Sequence, residues 1–93
     1  MKQFTIPKKV KIGALTYKVK IVSEEELPKN ACGVTIPTTL EILVLNCKNS
    51  YNIFLHELVH TFLLNSGYNK HNEDFVESMA QNIYAYLVDN GGF

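Results

Sequence analysis

Apolar and polar side chains alternate over residues 10–22, with Val10, Ile12, Tyr17, Val19 and Ile21 set between Lys11, Thr16, Lys18 and Lys20 around a central Gly13-Ala14. A period of two with turn residues in the middle predicts a half-buried β-hairpin whose lysines face water. Ser23-Glu24-Glu25-Glu26 and Pro28-Lys29-Asn30 then read as an exposed connection. A second pair of strands is predicted over residues 31–36 and 40–45, turned by Pro37-Thr38-Thr39. No connection among these strands is long enough for a crossover helix, so the sheet of three or four strands is expected to be antiparallel.

After residue 48 the period lengthens. Asn49 and Ser50 can cap a helix that runs to about Ser66, and Gly67 stands where a left-handed terminating residue is wanted. Tyr68, Asn69, Lys70 and His71 form a short loop, and Asn72 is the expected cap of a second helix. Glu73 and Asp74 suit the positive end of that helix, and Gly91-Gly92 closes it after Asn90. Strands followed by helices describe an α+β fold, a small antiparallel sheet packed on two helices. The 93 residues are too few to divide, so residues 1–93 are read as a single domain.

Steps of about 100° per residue sort each helix into faces. On the first, Phe54, Leu55, Leu58, Val59 and Phe62 form an arc for the sheet, while His56, His60 and Leu63 share another stripe. Ile53, Leu63 and Leu64 flank that stripe, which predicts histidines facing protein. On the second, Glu73, Glu77, Ala80 and Tyr84 lie together beside an apolar arc of Phe75, Val76, Met79, Ile83, Tyr86 and Leu87.

Composition narrows the class. With 46% apolar and 19% charged residues the chain is globular, and it has no apolar run near the ~18 residues of a membrane span. Its first residues lack a cleavable leader pattern, so a cytoplasmic protein with no membrane partner is expected. Cys32 and Cys47 are read as free thiols in a reducing compartment, packed as small hydrophobes. Formal charge is zero, yet residues 1–48 sum to +4 and residues 49–93 to −4. Lys8, Lys9, Lys11, Lys18 and Lys20 are the one feature that speaks for nucleic acid. Lysines alternating along a strand without arginine more often form only its solvated face.

Chemistry concentrates in His56-Glu57-Leu58-Val59-His60, an H-E-x-x-H pattern inside the first predicted helix. Imidazoles four residues apart lie on one face and reach the same cation, and Glu57 is offset to act on water beside it. Left without a cation, two histidines and several acids in one seam would cost several kcal/mol per charged group. A divalent metal, Zn2+ with these ligands, removes that cost and staples a small core. The third ligand is then Glu73 or Glu77. Helical rise favours Glu77 and periodicity alone leaves the choice open. For a tetrahedral oxyanion Tyr84, Tyr68 and His71 are candidate donors. His71, eleven residues past His60, otherwise reads as an ordinary loop histidine.

HELVHTFLLNSGY followed by NEDFVESMAQNIYAYLVDNG, together with the KVKIGALTYKV hairpin, resembles the short gluzincin-type zinc metallopeptidases of phages and mobile elements, relatives of the ImmA/IrrE-like and SprT-like proteins. The resemblance implies a metal held by His56, His60 and Glu73, with Glu77 orienting a ligand histidine and Glu57 as general base. It implies hydrolysis of a protein or peptide substrate, in a host-cell cytoplasm if the gene is phage-borne. In zincin-like enzymes the strand before the helix pairs with an extended substrate, and Glu41–Leu45 holds that place. The tail Gly91-Gly92-Phe93 is a possible occupant of a fourth metal position. The competing reading is a catalytically inactive zinc module that binds a protein or DNA partner.

Overall fold

A computed structural model describes residues 5–91. Four strands come first: β1 (Lys9–Ile12), β2 (Leu15–Val22), β3 (Gly33–Ile36) and β4 (Glu41–Leu45), with one turn of 3-10 helix at Glu24–Glu26. Two helices follow, α1 (Ser50–Asn65) and α2 (Glu73–Asp89). The architecture is α+β, as expected.

The sheet is mixed rather than antiparallel. Its order is β1-β2-β4-β3, and β2 pairs parallel with β4, setting Val19 opposite Ile42 and Ile21 opposite Val44. Successive strands still alternate in direction, since β1 with β2 and β3 with β4 are antiparallel hairpins. The expectation failed on neighbour order. From the end of β2 the chain passes over one strand's width, lays down β3 at the edge, and returns as β4 in the gap. A parallel pair thus forms without a crossover helix. The sequence carries a reason for this insertion, because Ile42-Leu43-Val44-Leu45 is a continuous apolar run suited to an interior strand, whereas Gly33 and Thr35 suit an edge. Ile42 and Val44 are completely buried.

One face of the sheet receives α1. Ile12, Tyr17, Val19, Ile42 and Val44 pack with Phe54, Leu55 and Val59, while Val76 and Ala80 of α2 close the cluster from the far side of α1. A fully buried side chain of this size contributes about 1.5–3 kcal/mol. Lys9, Lys11, Lys18 and Lys20 are exposed, with Lys9 directly opposite Lys18 and Lys20 paired to Glu41. Cys32 and Cys47 are free and exposed, which corrects their expected burial. Cys32 lies just before β3 and Cys47 just after β4, outside the paired strands.

Both helices stop where the sequence places their signals. Gly67, at φ +91°, follows the last turn of α1, with its amide donating to the Leu64 carbonyl and that of Tyr68 to the Leu63 carbonyl. These two bonds define a Schellman ending, whose left-handed residue is least strained as glycine. Asn72 caps α2 by accepting from the Phe75 amide at 3.0 Å. At the start of α1 the device differs. Asn49 holds the cap position without a side-chain bond, and the Ser50 hydroxyl donates back to the carbonyls of Leu45 and Cys47. This clip fixes how α1 leaves β4.

The apolar arc expected on α2 is largely uncovered. Phe75, Met79 and Tyr86 are 49%, 37% and 65% exposed, and Ala80, assigned to the polar stripe, is buried instead. The helix packs chiefly against α1 and not on the sheet. The buried stripe of α2 runs through Val76 and Ala80, with Ile83 half-buried against the same cluster. On α1, Phe62 of the predicted sheet-facing arc is likewise 43% exposed.

Candidate metal centre

The short loop after Gly67 folds α2 back along α1 and sets its first two turns beside the histidine stripe. Glu73 meets both imidazoles: its Oε2 lies 3.2 Å from His56 Nε2 and its Oε1 lies 3.2 Å from His60 Nε2. Glu77, one turn further on, is 2.9 Å from His56 through the other ring nitrogen, Nδ1. The structure thus separates the two acids that helical periodicity left open. Glu73 spans the pair of Nε2 atoms, and Glu77 grips the back of one ring. The imidazoles are mostly buried, whereas the Glu73 and Glu77 side chains are 68% and 54% exposed.

Glu57 lies on the inner side of the same cluster. One ligand-type atom from each of His56, Glu57 and His60 lies within 4.8 Å of the others. Thr35 on β3 donates to Glu57 Oε1 at 2.9 Å, fixing the carboxylate between strand and helix. Gly33 makes that approach possible, since a Cβ there would meet Ile53 Cγ2 at 2.8 Å and Glu57 Cγ at 3.1 Å. Burial pushes the Glu57 carboxyl above its ordinary range, opposed by the Thr35 hydroxyl and both histidines.

A cavity of about 940 Å³ opens over this group, lined by β3 and the residues before it on one wall and by His56, Glu57, His60, Glu73 and Glu77 on the other. The strand at its rim is β3. The strand expected there, Glu41–Leu45, lies inside the sheet between β2 and β3 and has no free edge to offer. Tyr84 does not line the cavity. Its ring sits 6.1 Å from that of Tyr51 and faces a side pocket with Asn52, Glu77 and Gln81. Tyr68 is exposed and meets the site through its backbone carbonyl, which lies 2.7 Å from His71 Nε2.

His71 is the residue that sequence reasoning undervalued. Its Nδ1 lies 2.6 Å from His60 Nδ1, and its Nε2 lies 2.7 Å from the Tyr68 carbonyl oxygen. The signal available in the sequence was its place next to Asn72, since a residue adjoining the cap of α2 is carried back toward α1 with it. Gly92 and Phe93, considered as occupants of a fourth position, fall outside the described residues. No protein-family model, curated protein or solved structure matches this chain.

Proposed function

We propose that the protein is a zinc-dependent metallopeptidase whose ion is held by His56, His60 and Glu73. The arrangement of Glu73 carries the reading. Its carboxylate places one oxygen 3.2 Å from each Nε2. Ligands at 2.0–2.1 Å in a tetrahedron lie about 3.3 Å apart, so these separations have the dimension of a zinc coordination shell. The donor types agree. Glu77 is a carboxylate and only accepts, so His56 donates to it through Nδ1; a neutral ring then turns its Nε2 lone pair toward Glu73, whereas an imidazolium would donate to both acids. With the ring neutral, two acceptors face each other across this gap, an arrangement that a cation between them relieves.

Zinc bound there would supply Lewis-acid activation of water and of a substrate carbonyl. The chain's own residues provide the rest. Glu57, anchored by Thr35, is placed to take a proton and later deliver it to the leaving amine. Glu77 orients His56. The edge strand β3, at the mouth of the cavity, offers backbone donors and acceptors to an extended peptide, which is the substrate class we assign. Among the described residues no helix is long and apolar enough to cross a membrane. The two exposed free thiols suit a reducing cytoplasm, where we place the protein.

The uncovered aromatic stripe of α2 is the one observation that favours the alternative, a zinc module that binds a partner without catalysis. Two variants separate these readings. His60→Ala is expected to lose zinc in metal analysis of the purified protein, and equal zinc in both proteins sinks the metal site. Glu57→Gln is expected to keep zinc while losing cleavage of a peptide library. If a wild-type protein loaded with zinc cleaves nothing, the binding module stands.

A further inference from the structure

We infer that His71 is a positioning residue for this centre, holding His60 in the tautomer whose Nε2 presents a lone pair to the metal. The inference rests on the metal reading above and adds the group that makes the second histidine competent. Its starting point is an atom whose role is fixed. A backbone carbonyl only accepts, so the contact of 2.7 Å between His71 Nε2 and the Tyr68 oxygen puts a proton on His71 Nε2. A neutral imidazole protonated at Nε2 keeps its lone pair at Nδ1. That Nδ1 is 2.6 Å from His60 Nδ1, and two unprotonated nitrogens do not rest at such a distance. The proton between them therefore belongs to His60 Nδ1. In the neutral ring this leaves the lone pair on His60 Nε2, 3.2 Å from Glu73 Oε1.

Ring geometry supports the assignment. The two imidazoles are 24° from parallel with centroids 4.9 Å apart, so with the nitrogens in contact they meet at their edges rather than face to face. The N–H of one ring then points along the lone pair of the other. The centre is thereby asymmetric. His56 is held from behind by a carboxylate, Glu77, and His60 by an uncharged imidazole that is itself fixed by a main-chain carbonyl. The anchors of that imidazole belong to the interhelical loop. Tyr68 follows Gly67 in the Schellman ending of α1, and His71 directly precedes Asn72, the cap of α2. The connection that brings Glu73 to the histidines thus also sets the proton on one of them. A metal-ligating histidine almost always donates its second ring nitrogen to an acceptor, usually a carboxylate, carbonyl or water, and losing that acceptor typically weakens binding 10- to 100-fold; here an imidazole lone pair takes the acceptor's place.

The test uses the whole chain, first without metal. Long-range 1H–15N correlation spectra are expected to show His60 protonated at Nδ1 in the wild-type protein, with that preference lost in His71→Ala. Competition against a chelating dye should then show zinc affinity reduced about 10- to 100-fold in His71→Ala. His71→Asn, whose side-chain oxygen can accept from His60 Nδ1, should recover most of it. Denaturation midpoints of both variants tell a local effect from unfolding. A wild-type His60 protonated at Nε2, as a doubly protonated His71 would require, overturns the inference while leaving zinc binding intact. So does wild-type zinc affinity in His71→Ala. A wild-type protein that shows the Nδ1 tautomer yet takes up no zinc sinks the metal reading and supports the His71–His60 contact.

Discussion

Both helices bring side chains to the same cluster, and they are held in place very differently. α1 lies between the sheet and α2 and buries Phe54, Leu55, Glu57, Val59 and Thr61, so His56 and His60 project from a backbone fixed on two sides. α2 buries only Val76 and Ala80 and leaves Phe75, Met79 and Tyr86 to solvent. The acids it contributes are the exposed members of the site. One helix is scaffold and the other is a lightly docked arm, whose register against α1 is set by the loop, the Asn72 cap and the acid–imidazole contacts. With the ion held as proposed, two of its three ligands stand on the preorganised helix and the third depends on docking, so a bound ion would act as the clamp.

This asymmetry can be broken at several points. The largest effect is expected in the α1 core. Phe54→Ala should destabilise the metal-free protein by about 3–5 kcal/mol, read as a lower midpoint in denaturant, because the ring is 2% exposed and its removal leaves a cavity in the core. Equal loss from a conservative change on α2 would show that the second helix is no mere arm. Next comes the clamp itself. Zinc at 100 times its Kd should raise stability by about 2.7 kcal/mol, and hydrogen exchange should slow more along α2 than along α1. Uniform slowing would mean that α2 is already docked without metal. Asn72→Ala removes the α2 cap and should cost about 1 kcal/mol, with faster exchange concentrated in the first turn of that helix. Gly67→Ala should cost a similar amount, about 1–2 kcal/mol, by forcing a Cβ into the left-handed region at φ +91°. The smallest change is expected from Phe75→Ser, within about 0.5 kcal/mol, since the ring it removes is half in water.

The parts of this molecule that were legible beforehand share a physical basis. The hairpin turn at Gly13-Ala14, the endings at Gly67 and Asn72, and the facing of His56 and His60 all depend on groups within a few residues of each other, whereas Ile21, expected on the inner face, is 46% exposed and Val22 is buried in its stead. Propensity, capping and helical period act over that range. What failed was non-local. The parallel β2–β4 pair, the edge position of β3 and the exposed aromatic arc of α2 each depend on which surface arrives next to which. Amphipathic period shows that a helix has an apolar side and says nothing of how much of that side a neighbour will cover. Cys32 and Cys47 were misread for the same reason, because a small apolar residue is buried only if an element passes over it.

By itself, then, the sequence determined an α+β chain with a pair of imidazoles on one helix face, an acid beside them, and two further acids at the start of the next helix. Local geometry dictates each of those placements. Tertiary structure alone decided that Glu73 spans both Nε2 atoms while Glu77 takes the back of His56, and that Thr35 from an edge strand holds Glu57. It also turned a loop histidine toward His60. Distances of about 3 Å between residues far apart in the chain are fixed by the packing of whole elements, and no short window of sequence contains them.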